Sequence, residues 1–99
     1  MRIVAVTACP TGIAHTYMAA EQLERTARRL GHWIKVETQG AMGIENELSQ
    51  EEIGGADLAV FAADIAVQKR ERFTGLKVIE VSVQDAIKHP EAVFNRQEE

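Results

Sequence analysis

The sequence has one cysteine, no net positive charge and no long apolar run, and each of these limits what the chain can be. One cysteine cannot form an internal disulfide, so the thiol is either buried filler or reactive in a reducing compartment. No apolar run approaches the ~18 residues of a membrane helix, and a strand pattern follows Met1 at once, which argues against a signal peptide. The net charge of −4 argues against nucleic-acid binding.

The composition fits one small soluble domain over residues 1–99. Apolar residues make up 45% of the 99 positions, which is enough for one modest core. No repeat, low-complexity tract or linker divides the chain, and we expect residues 95–99 to form a frayed tail.

Alternating strand and helix patterns predict the fold. Apolar runs predict strands at 3–6, 32–39, 58–62 and 78–81. A stripe at three- and four-residue spacing predicts a long helix between the first two strands, with Gly31 as its stop and Met18 in the core. Its stripe residues are Ile13, Tyr17, Ala20, Leu23, Ala27 and Leu30. Ser49 with Glu52, and Ser82 with Asp85, predict caps of later short helices. We therefore expect an α/β open sandwich with a four-stranded parallel sheet and helices on both faces.

Cys9 lies between the first strand and the first helix. A strand, a turn and a helix N-terminus in that order make an anion site, and the positive helix end favours a thiolate. Backbone N–H groups of residues 11–16 can surround a phosphate, Gly12 permits close approach, and Thr11, Thr16 and His15 add side-chain donors. This pattern predicts phosphocysteine chemistry, although a lone cysteine after a strand is often a small buried hydrophobe.

Other polar residues add little to the site. His32 and His89 have no partners for coordination and are interpreted as structural or solvated, and no spacing of ligand residues predicts a metal site. Residues 39–47 and Asp64 follow the second and third strands. The carboxyl ends of parallel strands meet at one edge, so we expect both on the rim that carries Cys9.

Three segments resemble one known family. They are TACPTGIAHTYMAAE at residues 7–21, KVETQGAMGIENELS at 35–49 and DLAVFAADIAV at 57–67. In this order they closely resemble the fructose-type IIB domains of the bacterial phosphoenolpyruvate-dependent sugar phosphotransferase system, over roughly residues 1–94.

The resemblance implies a phosphoryl relay. Cys9 would accept phosphate from a phosphohistidine on a IIA domain and donate it to fructose or a fructose-like sugar moved by a membrane IIC domain. The phosphate would be carried covalently without a cofactor, in the cytoplasm at the inner face of the membrane. The implied fold is a four-stranded parallel sheet with helices on both sides. The implied phosphate loop is Pro10, Thr11, Gly12, Ile13, Ala14, His15 and Thr16.

Two other functions remain as alternatives. A small protein tyrosine phosphatase also uses a cysteine between strand and helix, but it needs an arginine six positions later, where this chain has His15, and Asp64 is only a distant candidate acid. The other alternative is a non-catalytic regulatory module on the same fold. A dinucleotide site is disfavoured, because G-x-G-x-x-G is absent after the first strand. The relay predicts a partner surface around Cys9, with 39–47 and 64–73 as its rim.

Overall fold

The computed structural model describes residues 1–10 and 13–95, with only the backbone of Ile13. The strands are β1 (Arg2–Ala8), β2 (Trp33–Gly40), β3 (Gly43–Glu45), β4 (Leu58–Ala63) and β5 (Val78–Val81). The helices are α1 (Ile13–Arg29), α2 (Gln50–Gly54), α3 (Val83–Lys88) and α4 (Pro90–Asn95), with a 3₁₀ helix at Arg70–Phe73. Of the tail predicted to fray, Asn95 ends α4, and residues 96–99 lie outside the described residues.

The sheet has five strands in the order β3-β2-β1-β4-β5, with β1 in the middle. The four predicted strands pair in parallel, and α/β architecture is confirmed. The expected count of four and the wholly parallel pairing are wrong, because β3 adds an antiparallel strand to β2. Gly40 pairs with Gly43, whose φ of +88° suits a glycine, so part of the segment 39–47 is a tight hairpin. Three residues are too few to give a strand pattern in sequence.

Helices cover both faces of the sheet, as predicted. One face packs against α1, α3 and α4 through a cluster that includes Ile3, Leu23 and Phe94. The other face packs against α2 and the 3₁₀ helix through a smaller cluster that includes Val6 and Phe73. Successive residues of β1 contribute to opposite clusters, which explains its near-continuous apolar run.

The buried face of α1 is narrower than the apolar stripe predicted. Its buried residues are Thr16, Ala19, Ala20, Leu23, Thr26 and Ala27. Except for Leu23 they are small, so the helix lies close to the sheet. Tyr17 and Leu30 are exposed, and Met18 is 49% exposed, so its assignment to the core is wrong. Met18 follows Tyr17 by one position, which turns it about 100° further around the helix, away from the sheet.

The carboxyl ends of the three inner strands meet at one edge. Ala8, the last residue of β1, is in register with Gln39 of β2 on one side and Ala63 of β4 on the other. Cys9 directly follows Ala8, and Asp64 directly follows Ala63. The sheet therefore brings Cys9, the end of β2 and Asp64 to one rim, as the sequence predicted.

Candidate functional site

Cys9 occupies the centre of this edge, between the middle strand and the longest helix. Its side chain is 5% exposed and belongs to the apolar cluster under α1, α3 and α4. The helix that follows has 17 residues, and the first N–H groups of a helix carry partial positive charge without partners inside it. The thiol therefore combines a largely buried position with a helix end suited to an anion.

The predicted phosphate loop is described in part. Pro10, Ala14 and His15 are exposed, with Ala14 and His15 in the first turn of α1. Thr16 is buried. Thr11, Gly12 and the side chain of Ile13 lie outside the described residues. The exposed positions and Cys9 are thus grouped at one end of α1.

Thr7 fixes the first turn of α1 to the sheet. Its fully buried Oγ1 donates a hydrogen bond to the carbonyl oxygen of Thr16 over 3.1 Å. The Thr16 side chain also packs against Gly40, where an added Cβ would lie 3.4 Å from the Thr16 Oγ1. The start of α1 is therefore held by both β1 and β2, in an arrangement that the sequence analysis did not predict.

A buried carboxylate lies on the opposite face of β2. Glu37 is 0% exposed and accepts both guanidinium N–H groups of Arg72, each over 2.9 Å. Its oxygens also accept the Leu48 N–H over 2.9 Å and the Gln39 Nε2–H over 2.7 Å. Burial by itself raises the pKa of Glu37, but the bonds from Arg72, Leu48 and Gln39 outweigh it and hold that pKa below its usual value. We call Glu37, Arg72, Gln39 and the groups they bond the Glu37 network.

The Glu37 network reaches the segment that follows β4. Gln39 accepts the Gln68 N–H over 2.8 Å and donates to the Gln68 carbonyl oxygen over 3.1 Å. We call residues 64–69 the rim segment. Sequence reasoning missed this network, although the alternation of β2 places Glu37 inside and so gave a signal for a buried partner.

Asp64 begins the rim segment and has its own contacts. Its N–H donates to the Ala8 carbonyl oxygen over 3.0 Å. Its carboxylate accepts the N–H of Val83, the first residue of α3, over 3.2 Å. The side chain that was a distant candidate for a phosphatase acid thus bonds the start of a helix.

Exposed apolar side chains surround this edge. Met42 in the β2–β3 turn is 70% exposed, and Ile65 in the rim segment is 44% exposed. Met18 and Tyr17 add exposed surface on the first two turns of α1. Tyr17 donates a hydrogen bond to Glu45 of β3, and this bond raises the pKa of Tyr17. Met42 and Ile65 therefore place exposed apolar groups in the segments that follow β2 and β4.

The described residues lack two other features. Among residues 1–10 and 13–95, no three His, Cys, Asp or Glu side chains are grouped so as to hold a metal ion. No helix in this part of the chain has the length and apolar character required to cross a membrane.

Known proteins resemble the chain over nearly its whole length. A family model described as "PTS system, Lactose/Cellobiose specific IIB subunit" matches residues 4–96. The "PTS system fructose-like EIIB component 2" of Escherichia coli is 47% identical over 95 residues, covering 96% of this chain and 90% of that protein. The E. coli "PTS system 2-O-alpha-mannosyl-D-glycerate-specific EIIABC component" is 49% identical over 94 residues, covering 95% of this chain and 14% of that protein.

A solved structure gives the same result in three dimensions. A domain of the fructose-specific IIABC component from Borrelia burgdorferi superposes with a TM-score of 0.91 at 47% identity. The match covers 95% of this chain and 89% of that domain.

Proposed function

The chain belongs to the IIB family of the sugar phosphotransferase system, and on this premise we propose that Cys9 is the residue that carries the phosphoryl group. Its position supports this role, because it directly follows the central strand and precedes the N-terminus of the longest helix by a short connection. It is also the chain's one cysteine. The proposal requires no cofactor, because Cys9 carries the phosphoryl group covalently.

The transfer consists of two displacements at phosphorus. The Cys9 thiolate attacks a phosphohistidine, so that an S–P bond forms, the N–P bond breaks and the imidazole leaves. A sugar hydroxyl then attacks the same phosphorus, its proton passes to a base, and the thiolate leaves. Backbone N–H groups of residues 11–16, which include the first turn of α1, supply the donors for the phosphate oxygens in both steps. A thiolate departs without a strong acid, so this relay does not require one from Asp64.

The donor and acceptor are other components of the same system. We propose a IIA domain as phosphohistidine donor and a membrane IIC domain, with its bound sugar, as acceptor. A relative named EIIABC, 49% identical to this chain, supports partners of this kind. The chain would then work at the cytoplasmic face of the membrane, held there through IIC.

The sugar is proposed as fructose or a fructose-like compound. This rests on the names of the relatives, one of which is called fructose-like and another specific for 2-O-alpha-mannosyl-D-glycerate. The matching family model is described as lactose/cellobiose specific. We give more weight to the relatives, because they match at 47–49% identity along the chain. A panel of sugars supplied to different IIC domains would test this choice.

Labelled phosphate tests the Cys9 assignment. The full chain is mixed with a ³²P-phosphorylated fructose-type IIA domain, and label on the chain is followed over time. We expect the wild type to be labelled on sulfur and Cys9→Ser to take no label while it remains folded. Label on the Ser variant, or label on a histidine of the wild type, would show the assignment to be wrong.

The hydrolase alternative has a separate check. Steady turnover of an aryl phosphate by the isolated chain would favour it, whereas a relay protein leaves that substrate unchanged. His15 stands where a phosphatase has its arginine, and Asp64 bonds Val83, so neither supports hydrolysis. Both His15→Arg and Asp64→Asn are useful comparison variants in this assay.

A further inference from the structure

We propose that Gln39 and Glu37 are positioning residues that hold the rim segment beside Cys9 in the conformation to which the phosphorylated IIA domain docks. The inference rests on the proposed function, since it concerns the first of its two transfers. Neither residue contacts the phosphoryl group in this proposal. They act through residues 64–69, and through Leu48 on the neighbouring connection.

The rim segment is bonded on both sides of β1. At its start, the Asp64 N–H bonds the Ala8 carbonyl oxygen, on the β4 side. At Gln68, both backbone groups bond the side chain of Gln39, which is in register with Ala8 from the β2 side. Neighbouring strands lie about 4.8 Å apart, so the segment passes beside the end of β1 over roughly 10 Å. It therefore lies next to the residue that precedes Cys9.

One buried carboxylate joins this segment to the connection after β3. Glu37 bonds Arg72, whose Nε also donates to the Lys69 carbonyl oxygen over 2.8 Å. The same carboxylate accepts the Leu48 N–H. Residues 48 and 69 thus take their positions from a single charged group. Because the Arg72 guanidinium binds Glu37 in a bidentate arrangement, the pair fixes the orientation of the Arg72 side chain as well as its distance from Glu37.

The hydrogen bonds of the Glu37 network indicate a role in docking the IIA domain and not in the phosphoryl-transfer step. The hydrogen bonds that the side chains of Glu37, Gln39 and Arg72 make join residues 37, 39, 48, 68, 69 and 72. The network anchors the C-terminal end of the rim segment, in which Ile65 and Ala66 are exposed apolar residues. Loosening it should therefore weaken the encounter with the donor domain while leaving the transfer step intact.

The test variant is Gln39→Leu, with Glu80→Gln as its matched control. Gln39→Leu removes both bonds to Gln68 without changing charge. Glu80→Gln disrupts another bidentate pair, in which the Arg70 guanidinium donates to the two Glu80 carboxylate oxygens over 3.0 and 2.9 Å. This pair is exposed and joins the same connection to β5. Initial rates of Cys9 labelling are measured against the concentration of ³²P-labelled IIA domain. We expect KM to rise about tenfold in Gln39→Leu, with kcat within about twofold, and both constants to stay near wild type in Glu80→Gln.

A double variant separates positioning from stability. Glu37→Gln leaves Arg72 partly buried without its counter-charge, whereas Glu37→Gln with Arg72→Gln removes both charges. Replacing a buried pair together costs less stability than breaking it. The double variant should therefore regain stability relative to Glu37→Gln, yet keep the raised KM.

Every result of these experiments supports or contradicts the positioning role of Gln39 and Glu37. An unchanged KM in folded Gln39→Leu, an equal rise in Glu80→Gln, or a KM that recovers with stability in the double variant would overturn the inference. So would a failure of both Gln39→Leu and the double variant to fold, since the network would then serve folding alone. If the wild-type chain takes no label on Cys9, the proposed function fails, whereas labelling with unchanged KM values refutes only the positioning role.

Discussion

A single buried hydroxyl fixes the start of the helix that follows Cys9. Thr7 donates to the Thr16 carbonyl oxygen from a position with no solvent exposure. Thr7→Val keeps the shape but leaves that carbonyl without this donor, and we expect it to lower the free energy of unfolding by about 1 kcal/mol. Urea denaturation measures the change. Thr7→Ser keeps the donor and serves as control; a Val variant as stable as wild type would mean that the bond contributes nothing.

Individual side chains show what sequence could and could not predict. The positions of Leu23 and Ala27 in the core followed from helical spacing and are confirmed. Tyr17 and Met18 were both assigned to the core, yet both are exposed on α1. Their exposure depends on how α1 is rotated against the sheet, which the small residues of its buried face decide. Periodicity alone cannot tell such a surface from a core.

The short helix α2 depends on its cap. It spans only Gln50–Gly54, and the Ser49 side chain accepts the Glu52 N–H while the Glu52 side chain accepts the Ser49 N–H. So short a helix has little stability of its own. We expect Ser49→Ala to cost about 1 kcal/mol in the free energy of unfolding, measured by urea denaturation. Ser49→Asp retains a side-chain acceptor for the Glu52 N–H, so its free energy of unfolding should fall much less. An equal fall in both variants would show that the lost cap does not explain the loss of stability.

At the scale of elements, local patterns predicted most of the fold. The four longer strands and the capping box of Ser49 and Glu52 carry local signals, and each is confirmed. The strand β3 was missed because it exists through pairing with β2 and through the turn at Gly43. Tertiary pairing, rather than residue preference, makes those three residues a strand.

The stability of the whole molecule should depend on acid pH through Glu37. Its pKa lies below the usual 4.5, so the folded state favours the charged form. The corresponding stability is present above about pH 4.5 and is lost as the pH falls through the lowered value. We expect Glu37→Gln to lower the free energy of unfolding by on the order of 3 kcal/mol at pH 7, and by progressively less below pH 4.5.

Denaturation curves from pH 7 to pH 3 measure this difference. Glu80→Gln is the control: Glu80 also has a lowered pKa, from its bond with Arg70, but its side chain is exposed. Its curve should stay close to that of the wild type throughout. If the free energies of unfolding of wild type and Glu37→Gln differed by the same amount at all pH values, Glu37 would be excluded as the titrating group.

The arrangement of the whole edge was predictable, but its internal bonding was not. Parallel strands place Cys9 and Asp64 on one rim by topology, and the structure confirms that placement. The pairing of Glu37 with Arg72 joins residues 35 positions apart in sequence, and no local pattern indicates it. The role of residues 10–16 as phosphate ligands stays a prediction.

The burial of Cys9 also allows this residue to report local opening of the structure around it. The chain has one cysteine, and only 5% of that residue is exposed. Alkylating reagents such as iodoacetamide should react faster when this edge opens, because most of the residue is covered, and a phosphohistidine donor needs the same access to the sulfur. The speed of alkylation therefore reports a local opening equilibrium at a single known atom, without an introduced label.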